Sequence, residues 1–143
     1  MRLAVIALAA TAALACHAQA AAPNMKEGLW ELTAKSEIQG MPGGMPPTTM
    51  QRCVTKKDLE DPSKTAPGLQ GDKRCKMTDY RLQGNTATWK LACEGENAMT
   101  GSGTVTYAGT SYTGTQTMSM SVEGKALNMT LNFSGRHLGE CTK

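Results

Sequence analysis

From Glu27 onward, polar and apolar residues alternate along the chain with a period of two. In the first such segment one face carries Trp30, Leu32, Ala34 and Ile38, and the other carries Glu31, Thr33, Lys35 and Glu37. Successive side chains of a β-strand point to opposite faces, so this pattern predicts half-buried strands. We therefore expect an all-β protein whose sheet has one apolar and one polar face.

Three glycine-containing pairs predict two-residue hairpin turns. Gly84-Asn85 and Gly109-Thr110 suit type II′ turns, and Glu123-Gly124 suits type I′. These turns set apolar residues opposite one another: Tyr80 and Trp89, Leu82 and Ala87, Tyr107 and Tyr112, Met118 and Met129, Met120 and Leu127. Gln116 falls opposite Leu131. A slip of one residue would destroy the agreement, so the pattern predicts an antiparallel meander of seven or eight strands.

A sheet with one apolar face must hide that face and protect its edges. Closure into a small barrel and folding over as a sandwich would both achieve this; we favour the barrel-like form because consecutive hairpins need no crossover. One short helical turn is expected over Thr55 to Asp61, with Thr55 as N-cap and Asp58 in the capping-box position, ending before Pro62. Residues 21–143 are predicted to form this single β domain.

Residues 1–20 have the features of a secretory signal peptide. Arg2 precedes the apolar run Leu3 to Ala15, and Ala18-Gln19-Ala20 has the form of a cleavage site. The apolar run is too short to span a bilayer. Lipid attachment at Cys16 is the alternative, but a cleavage site follows Cys16, so we favour its removal with the signal. The mature protein is expected in the periplasm or outside the cell.

Cleavage after residue 20 leaves four cysteines, which in a small exported domain predict two disulfides. Cys75 and Cys93 flank the hairpin at Gly84-Asn85, and a β-bulge around Asp79 would bring them into register. Cys53 would then pair with Cys141. The alternative is Cys53 with Cys75, and Cys93 with Cys141.

Charge and composition argue against two classes of function. The mature chain keeps 14 basic and 12 acidic side chains, scattered along the sequence, which does not suit a nucleic-acid surface. Its one histidine, His137, has no nucleophile in a recognisable arrangement, and its acidic groups are expected on solvated turns and strand ends. We predict that the protein is not an enzyme, and that it binds a ligand or has a structural role in the cell envelope.

The apolar face is the candidate binding surface. A small barrel is either filled by its own side chains or holds one small apolar ligand. Gly101, Gly103 and Gly114 would leave room inside, or would mark bends in the strands. The candidate ligand-facing residues are Trp30, Trp89, Tyr107, Tyr112, Met118, Met120 and Met129. Partnership with another envelope protein is the alternative.

A loop rich in proline and glycine carries Met41 and Met45, and Met50 follows it. Thioethers are soft ligands suited to Cu(I), so these three methionines are a candidate copper site. They could instead cap one end of the sheet as adaptable apolar side chains. Beyond this Cu(I) hypothesis, no cofactor is expected.

Several segments resemble a bacterial family catalogued as domain of unknown function 3617. They are Lys26 to Glu31, Gln51 to Thr55, Cys75 to Tyr80, Gly84 to Trp89 with Cys93, Gly101 to Gly103 before Tyr107, Tyr112 with Gly114, Gly135-Arg136, and Gly139 to Cys141. The resemblance covers nearly the whole mature chain. It implies an exported, periplasmic protein of Gram-negative bacteria. The family carries no assigned reaction, so no catalytic residue is transferred from it.

Overall fold

A computed structural model describes residues 22–65, 73–96 and 98–142. The predicted signal peptide, with Cys16, lies outside these ranges. Among the described residues, no helix has the length and apolar character needed to cross a membrane.

Seven strands form one antiparallel sheet. The strands are β1 (Gly28–Ile38), β2 (Thr48–Val54), β3 (Cys75–Gln83), β4 (Thr86–Cys93), β5 (Met99–Tyr107), β6 (Ser111–Val122) and β7 (Lys125–Gly139). Two short helices, α1 (Lys56–Leu59) and α2 (Pro62–Thr65), lie between β2 and β3. The order across the sheet is β2-β1-β7-β6-β5-β4-β3. The predicted all-β antiparallel sheet is confirmed. Strands β3 to β7 follow one another as hairpins, but β1 pairs with β7, so the whole sheet is not the expected simple meander.

The predicted turns set the registers of the hairpins. Glu123 and Gly124 have φ of 51° and 78°, as a type I′ turn requires. The observed pairs include Leu82 with Ala87, Tyr107 with Tyr112, Gln116 with Leu131, Met118 with Met129, and Met120 with Leu127. These are the pairs expected from the sequence.

One expected pair is modified by a β-bulge. Thr78 pairs with Lys90 and Arg81 pairs with Thr88, so Asp79 and Tyr80 together stand opposite the single residue Trp89. Asp79 takes the strained φ of 52°. The extra residue brings Cys75 directly opposite Cys93.

The disulfides join Cys53 to Cys141 and Cys75 to Cys93, which is the pairing preferred from the sequence. The first bond ties the edge strand β2 to the segment after β7, across the intervening β1. The second joins the open ends of β3 and β4. Each edge strand of the sheet is therefore covalently held to an inner part of the fold.

The sheet does not close into the expected barrel. Strands β2 and β3 are its two edges, and no pairing joins them in the described ranges. The connection between them instead brings helical turns to the apolar face, where Leu59 packs against the core and Thr65 shares a side-chain hydrogen bond with Tyr107. Because one sheet buries both Trp30 and Trp89 almost completely, it must curl over its own apolar face.

The connection also differs in detail from expectation. Thr55 caps α1, and Asp58 completes the capping box as predicted. Pro62, however, begins a second helix, α2, whereas the sequence predicted that helical structure ends before this residue. The first position of a helix tolerates proline because its missing N–H has no partner there in any case.

Aromatic rings occupy the space above three glycines of the apolar face. A side chain at Gly103 would overlap the ring of Trp89, and one at Gly114 would overlap Phe133. Gly135 lies in the same way beneath Tyr112. At Gly103 and Gly114 the expected room for a ligand is therefore filled by neighbouring rings, an arrangement known to support strand glycines.

We expect Gly103→Ala to destabilise the protein by about 1–3 kcal/mol, because the new methyl group would force the Trp89 ring out of place. Urea denaturation of the oxidised protein measures this change. Ser102→Ala, on the opposite face of the same strand, is the control and should cost about 0.5 kcal/mol or less. The cost of Gly103→Ala should shrink in a Trp89→Leu background. An unchanged cost in that background would contradict the ring-over-glycine explanation.

Candidate functional site

The apolar face is the candidate site, and its two ends differ. We call Trp30, Tyr107, Tyr112 and Phe133 the aromatic end; they are 1%, 4%, 8% and 4% exposed. Tyr112 holds this end together: its ring lies 5.3 Å from that of Trp30, 6.1 Å from Tyr107 and 6.3 Å from Phe133. The aromatic end is a packed core.

A half-buried cation faces this aromatic cluster. Arg52 lies on β2 opposite Trp30, and its charge acts on the hydroxyl of Tyr112. Burial raises the pKa of Tyr112 to about 12, and Arg52 opposes that rise only in part. The cavity between Trp30, Arg52 and Tyr112 has a volume of about 30 Å³. A pocket for a drug-sized ligand has roughly 300 Å³ or more, so this end does not hold one.

The opposite end of the face is open. We call Ile38, Met99, Met118, Met120, Leu127 and Met129 the methionine end. All six side chains are only partly buried. Met99 and Met118 pack against the core, whereas Met120 and Met129 lie outside the packed cluster. Met120 and Met129, two of the candidate ligand-facing residues, therefore line an apolar surface that is partly accessible to solvent.

Between the two ends, one row of the sheet carries polar groups with no protein partner. Trp89 on β4, Gly103 on β5 and Gln116 on β6 stand directly beside one another. Gln116 is 0% exposed, and its Oε1 and Nε2 atoms have no hydrogen-bond partner among the described residues. The same is true of Nε1 of Trp89.

The sequence already placed Gln116 on the inward face, opposite Leu131, but did not mark it as functional. The available signal was a glutamine in an otherwise apolar position of a well-defined register. The sequence could not show that the Gln116 amide has no hydrogen-bond partner among the described residues. That is decided by side chains from strands far apart in the chain.

The three loop methionines are each about half exposed: 53% for Met41, 49% for Met45 and 53% for Met50. They do not converge. The backbone of Met45 bonds to Ser36, and Met50 pairs with Leu32. Four residues of β1 separate these contacts, a distance of roughly 13 Å along a strand. A shared metal ion would require the loop to rearrange.

The titratable residues singled out in the sequence have local structural partners. His137 Nε2 lies 2.9 Å from the carbonyl oxygen of Glu27, and its ring packs edge-on against Trp30. The carboxylate of Asp58 accepts hydrogen bonds from the Thr55 N–H and hydroxyl, which lower its pKa. In the ranges that the structure describes, no group of three or more His, Cys, Asp or Glu side chains is placed to hold a metal ion.

Residues 25–141 match the family described as protein of unknown function, DUF3617. The chain belongs to the DUF3617 family. The match extends from just before β1 to Cys141, so it includes the whole sheet and all four disulfide cysteines. No curated protein and no solved structure matches the chain.

The three tyrosines of this DUF3617 protein should resist ionisation while it is folded. Burial raises the pKa of each of them, Tyr80, Tyr107 and Tyr112. An unfolded tyrosine ionises near pH 10. The resulting stabilisation is complete below that pH and is lost as the pH rises toward about 12, the folded-state pKa of Tyr112.

Absorbance at 295 nm and urea denaturation between pH 8 and 12 check this prediction. Tyrosinate absorbance should appear at higher pH in the folded protein than in the unfolded protein. The free energy of unfolding should fall above pH 10. The double variant Tyr107→Phe and Tyr112→Phe should show a weaker fall. Ionisation of all three tyrosines near pH 10 with an unchanged circular dichroism spectrum would contradict it.

Proposed function

We propose that this protein is an exported, non-catalytic binding protein of the cell envelope, and that it binds an apolar ligand on the methionine end of its sheet. Two disulfides suit an oxidising compartment outside the cytoplasm. The signal-like residues 1–20 support the same location. Periplasmic residence is the form of export that the family resemblance implies.

The observation that carries the binding proposal is the unequal coverage of the apolar face. Trp30 and Phe133 are almost fully buried at one end, whereas Met120 and Met129 stay partly accessible at the other. Contiguous apolar surface that stays open to water is typical of binding sites. Methionine suits such a surface because its flexible, polarizable side chain adapts to the shape of a ligand.

A non-catalytic role is supported by the polar groups nearest the apolar face. His137 and Asp58 are engaged in local hydrogen bonds. The tyrosine hydroxyls at the aromatic end have raised pKa values, so they stay protonated at neutral pH. These groups suit packing and recognition better than proton transfer.

The fluorescent dye N-phenyl-1-naphthylamine, which brightens in apolar surroundings, tests the proposal. We expect the oxidised mature protein to bind it, and Met120→Lys to weaken binding at least about tenfold, since burying one apolar side chain is worth roughly 1.5–3 kcal/mol. Ser119→Lys is the matched control, because it adds the same charge one residue away on the polar face. Equal loss in both variants, or no dye binding by the wild type, would refute the proposal.

Native mass spectrometry of protein extracted from the periplasm without detergent gives a second readout. A bound small molecule that is present in the wild type and absent from Met120→Lys would support a carrier. A bare polypeptide that also fails to bind the dye would favour the structural role in the envelope.

Cu(I) binding is the second candidate function, because packing leaves Met41, Met45 and Met50 about half exposed and available as ligands. Competition for Cu(I) with a chelator of known affinity tests it. Replacing all three methionines by leucine should abolish binding, whereas replacing the inward Met118 by leucine should not. An affinity unchanged by the triple replacement would exclude this site.

A further inference from the structure

We infer that the ligand is a neutral amphiphile whose one polar group, a hydroxyl or a primary amide, hydrogen-bonds Gln116 and Trp89 inside the apolar face. This inference rests on the proposed function and names the chemical class that the site would take. Its starting point is the pair of side chains, Gln116 and Trp89, whose buried polar atoms have no hydrogen-bond partner among the residues that the structure describes.

A buried amide without partners is costly, and stability alone does not call for one at this position. The neighbours of Gln116 across the sheet are Gly103 and Leu131. An apolar residue of similar shape would avoid the cost of burying two unpaired polar atoms. A glutamine at such a place indicates that the amide serves something other than packing.

The row places both side chains on the same face of the sheet. Trp89 and Gln116 are separated only by Gly103, so their Cα atoms lie about 10 Å apart, two strand spacings. The atoms of Trp89 closest to a side chain at Gly103 would be Cζ2, Cε2 and Cη2. Cε2 is bonded to Nε1, so the indole N–H lies near the middle of the row, close to Gly103.

The donor and acceptor set defines the partner. The indole N–H of Trp89 and the amide N–H of Gln116 donate, and Gln116 Oε1 accepts. A hydroxyl or primary amide satisfies such a set because it both accepts and donates. Neither side chain is charged, so a buried carboxylate would have no countercharge in this row, which favours a neutral group.

The position of the row places the rest of the ligand. On β6 the residues that follow Gln116 on the same face are Met118 and Met120, and on β7 Leu131 is followed in space by Met129 and Leu127. An apolar chain attached to the polar group would therefore extend along the methionine end toward solvent. The polar row and the open apolar surface form one continuous amphipathic site.

Displacement of N-phenyl-1-naphthylamine by ten-carbon probes tests the inference. At pH 8 we expect decanamide to displace the dye from the wild type at concentrations about tenfold lower than decanoate or decane, reflecting the hydrogen bonds that it gains. Gln116→Met keeps the shape of the side chain. It should remove this preference and raise the melting temperature of the free protein.

Trp89→Phe removes the other donor while retaining a ring, and it should reduce the preference for decanamide by a smaller factor. Thr117→Met, on the polar face of the same strand, is the control and should leave the preference intact. If Gln116→Met raises the melting temperature but decanamide still binds as before, the Gln116 amide does not bind the ligand and the inference is overturned. If the dye itself does not bind the wild type, the proposed function fails first.

Discussion

The burial of one large apolar sheet face against itself is the constraint on which the rest of this structure depends. All seven strands belong to a single sheet, and in the described ranges only two four-residue helices lie outside it. With no second sheet to pack against, the sheet curls, and rings from one strand lie over glycines of the next. Tyr112 on β6 packs against Trp30 on β1, Tyr107 on β5 and Phe133 on β7. Its ring therefore joins side chains from four strands in one cluster.

The open edges explain where covalent bonds are placed. Cys53 lies on the edge strand β2 beside Leu29, near the aromatic end, and the Cys75–Cys93 bond lies in the row that contains Met99 and Met120. Each end of the apolar face thus has one disulfide beside it. A disulfide restricts the unfolded chain and so stabilises a fold with a small core. Among the described residues, helix α2 meets the apolar face at the aromatic end, where Thr65 shares a hydrogen bond with Tyr107.

Two polar side chains lie within the apolar face, and only one of them, Arg52, has an interaction that offsets the cost of its burial. Arg52 at the aromatic end is only half buried and interacts with Tyr112, whereas Gln116 is fully buried and has no hydrogen-bond partner in the described ranges. Proteins tolerate such a destabilising group where function needs it. The proposed amphipathic site explains together this glutamine, the neighbouring Trp89 N–H and the partly buried methionines of the methionine end.

The sequence by itself determined the strands, the hairpin turns, the bulge at Asp79 and the capping box at Thr55, because each depends on neighbouring residues and on a period of two. The preferred disulfide pairing followed from those registers. Tertiary structure alone decided that Trp89 covers Gly103 and that, within the part of the chain that the structure describes, the sheet stays open and Gln116 has no hydrogen-bond partner. Alternation states which face a side chain occupies but contains no information on how far the sheet curls, and that curvature sets which side chains of distant strands meet.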